Sequence, residues 1–169
     1  MLFRSGHRAV LLTGEDGLNP VPGVPPVAHA PAGAPIVTVP YAPHSEVMPR
    51  ACAVVHQGGV GTTAQAMLAG KPMLVVPFSH DQPDNAARLR RHGVARVLER
   101  THVSAAAFTR ELQALLADPP LAARAQAMAA GMKHEPGAAG AADAIEALLA
   151  GKGARDATSA RASRAATSA

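Results

Sequence analysis

Residues 53–98 alternate three short apolar runs with two helix-length segments, and a Gly or Pro stands at the junctions. The runs at 53–56, 73–76 and 95–98 are too short for helices and, His56 and Arg96 apart, are built of Ala, Val, Leu and Met, so they read as buried strands. The segments at 61–69 and 83–92 read as helices stopped by Gly70 and Gly93, with Pro72 just beyond the first stop. Strands this apolar are covered on both faces. The alternation therefore predicts an α/β chain with a parallel, Rossmann-like sheet and helices on both sides. Ligands in that class bind outside the carboxyl ends of the strands.

Two further strands are predicted at 8–13 and Ile36–Val39, and a short helical turn at 44–50. Residues 14–35 carry Pro20, Pro22, Pro25, Pro26, Pro31 and Pro35, a spacing that no helix or central strand tolerates. They form a long irregular loop, of the kind that often serves function. Ser104 is the expected N-cap of a helix reaching Ala117, with Phe108, Leu112, Leu115 and Leu116 on one face. Ala-rich helices follow at Pro119–Met132 and Gly137–Leu149. From 151 to 169 the chain is Ala, Arg, Ser, Thr and Gly without an apolar period, as expected of a basic disordered tail. The reading is one domain over 1–150 and a tail over 151–169.

With 169 residues and 48% hydrophobic composition the chain can bury one core, and with aromatics at 2% that core is aliphatic. The net charge of +4 invites a nucleic-acid reading, but the chain has almost no aromatic faces on which bases could stack. No nucleic-acid partner is expected. Cys52, the only cysteine, lies in an apolar run and is expected to be a buried structural thiol in a reducing compartment. No apolar stretch approaches the roughly 20 residues needed to span a bilayer. With no signal-peptide core at the N-terminus, the expected location is cytoplasmic. No His, Cys or carboxylate set has metal-ligand spacing, so neither a metal nor another cofactor is expected.

Two segments carry the chemistry. After the run ending at His56 come Gln57, Gly58, Gly59, Val60 and Gly61, and a helix opens at Thr62 and Thr63. Glycines let a ligand approach the backbone, and a helix start offers free N–H groups and the positive end of the dipole. That suits a diphosphate, although the pattern is neither G-x-G-x-x-G nor a Walker A loop, and such a turn is often only a tight connection. The second segment, 78–88, groups His80, Asp81, Gln82 and Asn85 at the start of the next helix. A carboxylate beside an amide can hold sugar hydroxyls. Asp84 reads better as a first-turn acid that stabilises its helix.

These segments resemble the nucleotide-sugar signature of family 1 glycosyltransferases, most closely the bacterial branch that decorates antibiotics, macrolides and glycolipids. The matching pieces are Y-A-P-H-S at 41–45, H-Q-G-G-V-G-T-T at 56–63, A-G-K-P at 69–72 and H-D-Q-P-D-N-A-A-R at 80–88. The resemblance implies the C-terminal lobe of a GT-B enzyme that binds a nucleoside diphosphate sugar. By it, Tyr41 stacks on the base and His44 flanks it. Gln57 stands where relatives carry a diphosphate-binding His, and His56 is the first histidine of the bacterial pattern. Gly59, Gly61, Thr62 and Thr63 serve the phosphates. Gln65 replaces a ribose-binding Glu, which leaves uridine, thymidine and guanosine donors open. Asp81 and Gln82 hold the hexose.

The implied reaction is hexose transfer to an acceptor hydroxyl, the acceptor being a small molecule or lipid. The resemblance puts the general base on an N-terminal acceptor lobe and puts a first strand of the donor lobe ahead of Met1. The expectation is a truncated product, a fragment or half of a split enzyme, inactive by itself and prone to self-association. A nucleotide-sugar epimerase is disfavoured by the intact D-Q-P-D-N-A-A-R element. A non-catalytic nucleotide-sugar-binding module or inactive remnant is the other reading.

Overall fold

The computed structural model describes residues 7–14 and 21–150, so the expected tail lies outside the described residues. The chain forms two compact units, Met1–Ala130 and Gly131–Ala169. The first holds strands β1 (Ala9–Leu12), β2 (Ile36–Val39), β3 (Val54–His56), β4 (Met73–Val75) and β5 (Ala95–Val97). Its helices are α1 (His44–Val47), α2 (Val60–Leu68), α3 (Gln82–Arg91), α4 (Ala105–Leu116) and most of α5 (Pro119–Met132). In the second unit α6 (Gly137–Leu149) exposes Ile145, Leu148 and Leu149.

Every strand pairing is parallel, as the apolar runs predict. The described strands nevertheless form two sheets, β1–β2 and β3–β4–β5, where the sequence suggests one. Neither β1 nor β3 pairs with the other, and each keeps one edge without a strand partner among the described residues. The outer edge of β2 is met by the proline-rich loop. Pro26 forms a parallel bridge with Thr38, whose N–H donates to the Pro25 carbonyl at 3.1 Å. Elsewhere the described residues of that loop are irregular, apart from a 3-10 turn at Val27–His29.

The central strand β4 is fully enclosed, with Met73, Leu74 and Val75 each 0% exposed. Alternation along the strand sends these side chains to opposite faces. Met73 and Val75 pack with Val54, Ala66 of α2, Ala86 and Leu89 of α3, and Ala125 of α5. Leu74 packs on the other side with Leu98, Leu121, and Ala107 and Leu115 of α4. Helices therefore cover both faces of this sheet. Ser104 caps α4, its hydroxyl oxygen accepting from the Ala107 N–H at 3.1 Å. Arg96 on β5 ties α4 down with two bonds to Glu111 Oε2, at 2.9 and 2.7 Å. Those bonds hold the Glu111 carboxyl below the usual carboxylate range.

The expectation of a buried Cys52 is corrected: its side chain is exposed. Strand β3 begins only at Val54, and Cys52 sits in a bend before it, outside the alternation that buries Val54 and His56.

Candidate functional site

The sheet β3–β4–β5 delivers two loops to the carboxyl ends of its strands. One joins β3 to α2 and the other joins β4 to α3. In the first, Gly58 has φ +95°, a conformation that L side chains rarely adopt. The packing demands glycine as well. A Cβ there would sit 3.0 Å from Val75 Cγ1 and 3.2 Å from the Gln82 carbonyl oxygen. The glycine loop thus rests on the first turn of α3.

Gly59 is the N-cap of α2 and offers no capping side chain, so the first N–H groups of this nine-residue helix have no partner there. Thr63, one turn in, is buried, and its Oγ1 has no hydrogen-bond partner. A buried hydroxyl without a partner is costly. Gln57, Val60 and Gly61 are exposed at the loop surface, and Thr62 is half-buried.

His56 takes a different place from its neighbours. It is buried at the end of β3, and its Nδ1 accepts the Gly58 N–H at 3.1 Å. Accepting at Nδ1 requires the neutral ring protonated at Nε2, and that buried Nε2 has no partner. Burial, and secondarily the nearby His44, lowers its pKa to about 4. His56 therefore braces the loop from within as a neutral group.

Tyr41, Ala42, Pro43, His44 and Ser45 line a cleft of about 290 Å³, closed on its other side by Gln65 of α2. The ring of Tyr41 is 78% exposed, with a free face. Gln65 lies four residues beyond Gly61, on the same side of α2. The structure thus brings Tyr41, His44 and Gln65 together and leads from them to the open start of α2.

In the second loop Gln82 Oε1 accepts from the backbone N–H groups of Phe78, at 2.8 Å, and Ser79, at 3.2 Å. Its amide nitrogen is left to donate elsewhere. His80 has φ +58°, unusual for a residue with a side chain and of order 1–3 kcal/mol in cost. Asp81 occupies the N-cap position of α3 but makes no capping bond; its Oδ2 accepts from Asn85 Nδ2 at 2.7 Å. Asp84 lies in the first turn of α3, as expected of it, and also pairs with Arg88 on the surface at 2.7 Å. Asn85 also donates to the Gly58 carbonyl at 2.9 Å, bridging the two loops. The sequence alone groups Asn85 with its polar neighbours and assigns it no separate role. Its spacing of four from Asp81 on a helix was the available signal. Among the described residues no group of three His, Cys, Asp or Glu side chains could hold a metal ion, and no helix is long and apolar enough to cross a membrane.

The family model for the erythromycin biosynthesis protein CIII-like C-terminal domain matches residues 22–148. The chain belongs to this family. It is 42% identical over 100 residues to the O-mycaminosyltylonolide 6-deoxyallosyltransferase of Streptomyces fradiae, covering 59% of this chain and 24% of that enzyme. It is 35% identical over 98 residues to a sterol 3-beta-glucosyltransferase of Arabidopsis thaliana, covering 58% of this chain and 15% of that one. Among solved structures it is similar to the calicheamicin glycosyltransferase CalG4, with TM-score 0.68 and 26% identity over 85% of this chain and 34% of that chain. It is also similar to the glycosyltransferase VinC in complex with dTDP, with TM-score 0.58 and 29% identity over 61% of this chain and 26% of that chain. The fold is that of a glycosyltransferase C-terminal domain of the GT-B type. The chain spans about a quarter of the Streptomyces relative's length and about a third of CalG4's.

Proposed function

We propose that this chain is the donor-binding half of a hexosyltransferase that uses a nucleoside diphosphate sugar. The base lies in the cleft of Tyr41, His44 and Gln65. The diphosphate is met by Gly59, Val60, Gly61, Thr62 and Thr63 at the start of α2, with Gln57 reaching it from the loop surface. Asp81 and the free amide of Gln82 face the hexose. The carrying observation is the uncapped start of α2, one turn ahead of Gln65, which lines that cleft, and next to Gly58, which lies against Gln82 of α3. Charge developing on the departing diphosphate falls to the α2 N–H groups and the Thr hydroxyls, with no metal or cofactor. His56 contributes by shaping the loop. A separate acceptor lobe supplies the acceptor, a small molecule or lipid, and the base that deprotonates its hydroxyl. The supporting relatives are named as glycosyltransferases, and one neighbour was solved with dTDP.

Titration calorimetry with uridine and thymidine diphosphate sugars tests the reading. Binding of at least one series at millimolar concentration or below is the expected result. A folded sample that binds neither series contradicts it.

The Asp81→Ala variant should lose roughly tenfold to a hundredfold in affinity for the nucleotide sugar, the worth of a charged hydrogen bond. Affinity for the bare nucleoside diphosphate should stay near wild type, because Asp81 faces only the sugar in this reading. Equal losses for both ligands would make Asp81 a structural residue.

A further inference from the structure

Asn85 is half-buried on the first turns of α3, and both hydrogens of its amide nitrogen are committed. One goes to the Gly58 carbonyl at 2.9 Å and the other to Asp81 Oδ2 at 2.7 Å. Both partners are acceptors, so the orientation of the amide is dictated by its neighbours. A trans peptide carries its C=O and the next N–H on opposite sides. Turning the Gly58 carbonyl toward Asn85 therefore turns the Gly59 N–H away from it. That N–H has no hydrogen-bond partner among the described residues. On the far side of the same glycine, His56 Nδ1 accepts the Gly58 N–H. The Gly58 backbone is thus held at its N–H by His56 and at its carbonyl by Asn85, in a conformation only glycine adopts readily.

We propose that Asn85 is a positioning residue that sets the diphosphate loop and the sugar carboxylate with a single amide. This rests on the donor-site reading above and deepens it. Asn85 touches neither the diphosphate nor the hexose. It presents the Gly59 N–H to the one and fixes Asp81 for the other, so phosphate and sugar recognition share one support.

The Asn85→Asp variant tests this sharply. An ionised Asp at 85 has no hydrogen to donate and faces two acceptors, so the Gly58 peptide is released and Asp81 is repelled. Asn85→Ala removes the donor without adding charge. The ligands are uridine and thymidine, their diphosphates, and the matching diphosphate glucoses, applied to the full 169-residue chain. Nucleoside binding in the Tyr41 cleft should be unchanged in both variants, which also reports that they fold. Diphosphate affinity should fall roughly tenfold, the worth of one lost hydrogen bond in a charged network, and diphosphate-sugar affinity should fall further.

The pH profile supplies a readout that a merely structural residue would not move. Two carboxylates in hydrogen-bond contact share a proton, and one of them takes it up well above the usual carboxylate range. A protonated Asp at 85 or 81 can donate again. Binding by Asn85→Asp should therefore recover relative to wild type as the pH is lowered, whereas Asn85→Ala should not recover. The other charged or titratable groups nearby are Asp84 and Arg88, paired with each other on α3, His80 beside Asp81, with its Nδ1 in a hydrogen bond with Ser79 Oγ, and the neutral His56 across the loop.

Variants that bind all three ligand classes as wild type does would overturn the assignment. So would equal losses for nucleoside, diphosphate and sugar. Failure of the wild-type chain to bind any diphosphate would sink the donor-site reading and this assignment with it. Normal wild-type binding with insensitive variants sinks the Asn85 role alone.

Discussion

Purified by itself, the 169-residue chain is expected to bind a sugar donor yet transfer no sugar above background. The donor half can hold and polarise the leaving group. Transfer also needs an acceptor hydroxyl aligned with the anomeric carbon and a base to take its proton. In the proposed enzyme both belong to the acceptor lobe. A general base is worth on the order of 10²–10⁴-fold in rate, and an acceptor free in solution forfeits the positioning advantage as well. The strand edges that have no partner among the described residues add a second expectation. In a parallel ladder alternate residues point their N–H and C=O groups to opposite edges. Ala9 and Thr13 donate to the β2 side, at the Pro35 and Val39 carbonyls, which leaves Val10 and Leu12 turned to the other edge of β1. On β3 the bonds of Val54 and His56 to the β4 side leave Val55 turned outward in the same way. These residues are also apolar and exposed, at 52%, 42% and 44%. Unpaired apolar edges invite another strand. The chain should therefore self-associate, and an acceptor lobe added in trans should raise its solubility. The measurement is turnover of uridine and thymidine diphosphate sugars with a phenolic acceptor, alongside sedimentation of the same sample. Robust turnover by a monomer would refute the division of labour proposed here.

The strands and helices of the β3–β4–β5 sheet were legible because Gly and Pro punctuate every junction, and three apolar residues in a row leave β4 nowhere to go but the interior. The Ser104 cap, the place of Asp84 in the first turn of α3 and the Tyr41–His44–Gln65 grouping follow from local chemistry or from motif order, which sequence carries well. Other features were not legible, each for a physical reason. Cys52 lies two residues before the first residue of β3, and boundaries of that fineness are set by tertiary packing. A strand of three residues gives no usable period, so nothing local says that His56 faces inward while Gln57 faces out. Positive φ at His80 is uncommon for any residue with a side chain, even for histidine, which adopts it more often than most, so residue type alone does not announce it. The Asn85 bridge joins residues 27 apart in the chain and depends on the angle at which α3 meets the glycine loop. The division of five strands into two sheets depends on which edges meet, and hydrophobic patterning is silent on that.

The buried histidine should make the fold sensitive to mild acid. His56 has a pKa of about 4 in the folded chain, lowered from 6.5 first by burial and then by the nearby His44. Protonation also places a hydrogen on Nδ1, where the Gly58 N–H now donates, so the cation loses that bond and confronts a donor. The unfolded chain has no such restraint and takes up the proton near the ordinary histidine value. Below that value the unfolded state binds more protons than the folded state, so stability falls as the pH falls. The stabilising contribution is fully present above about pH 6.5 and drains away down to about pH 4. A shift of this size is worth about 3 kcal/mol, a large part of the stability of a small domain. Denaturant midpoints measured across this range should therefore drop steeply for the wild-type chain. His56→Asn supplies the control, because its side-chain oxygen can still accept the Gly58 N–H while carrying no titrating ring. Both proteins share every carboxylate and every other histidine, so the difference between their profiles isolates His56. The variant should be flatter between pH 6.5 and 4, and the two curves should converge or cross toward the acid end. Parallel profiles would show that His56 is reached by water and protonates in the folded chain much as it does in the unfolded one.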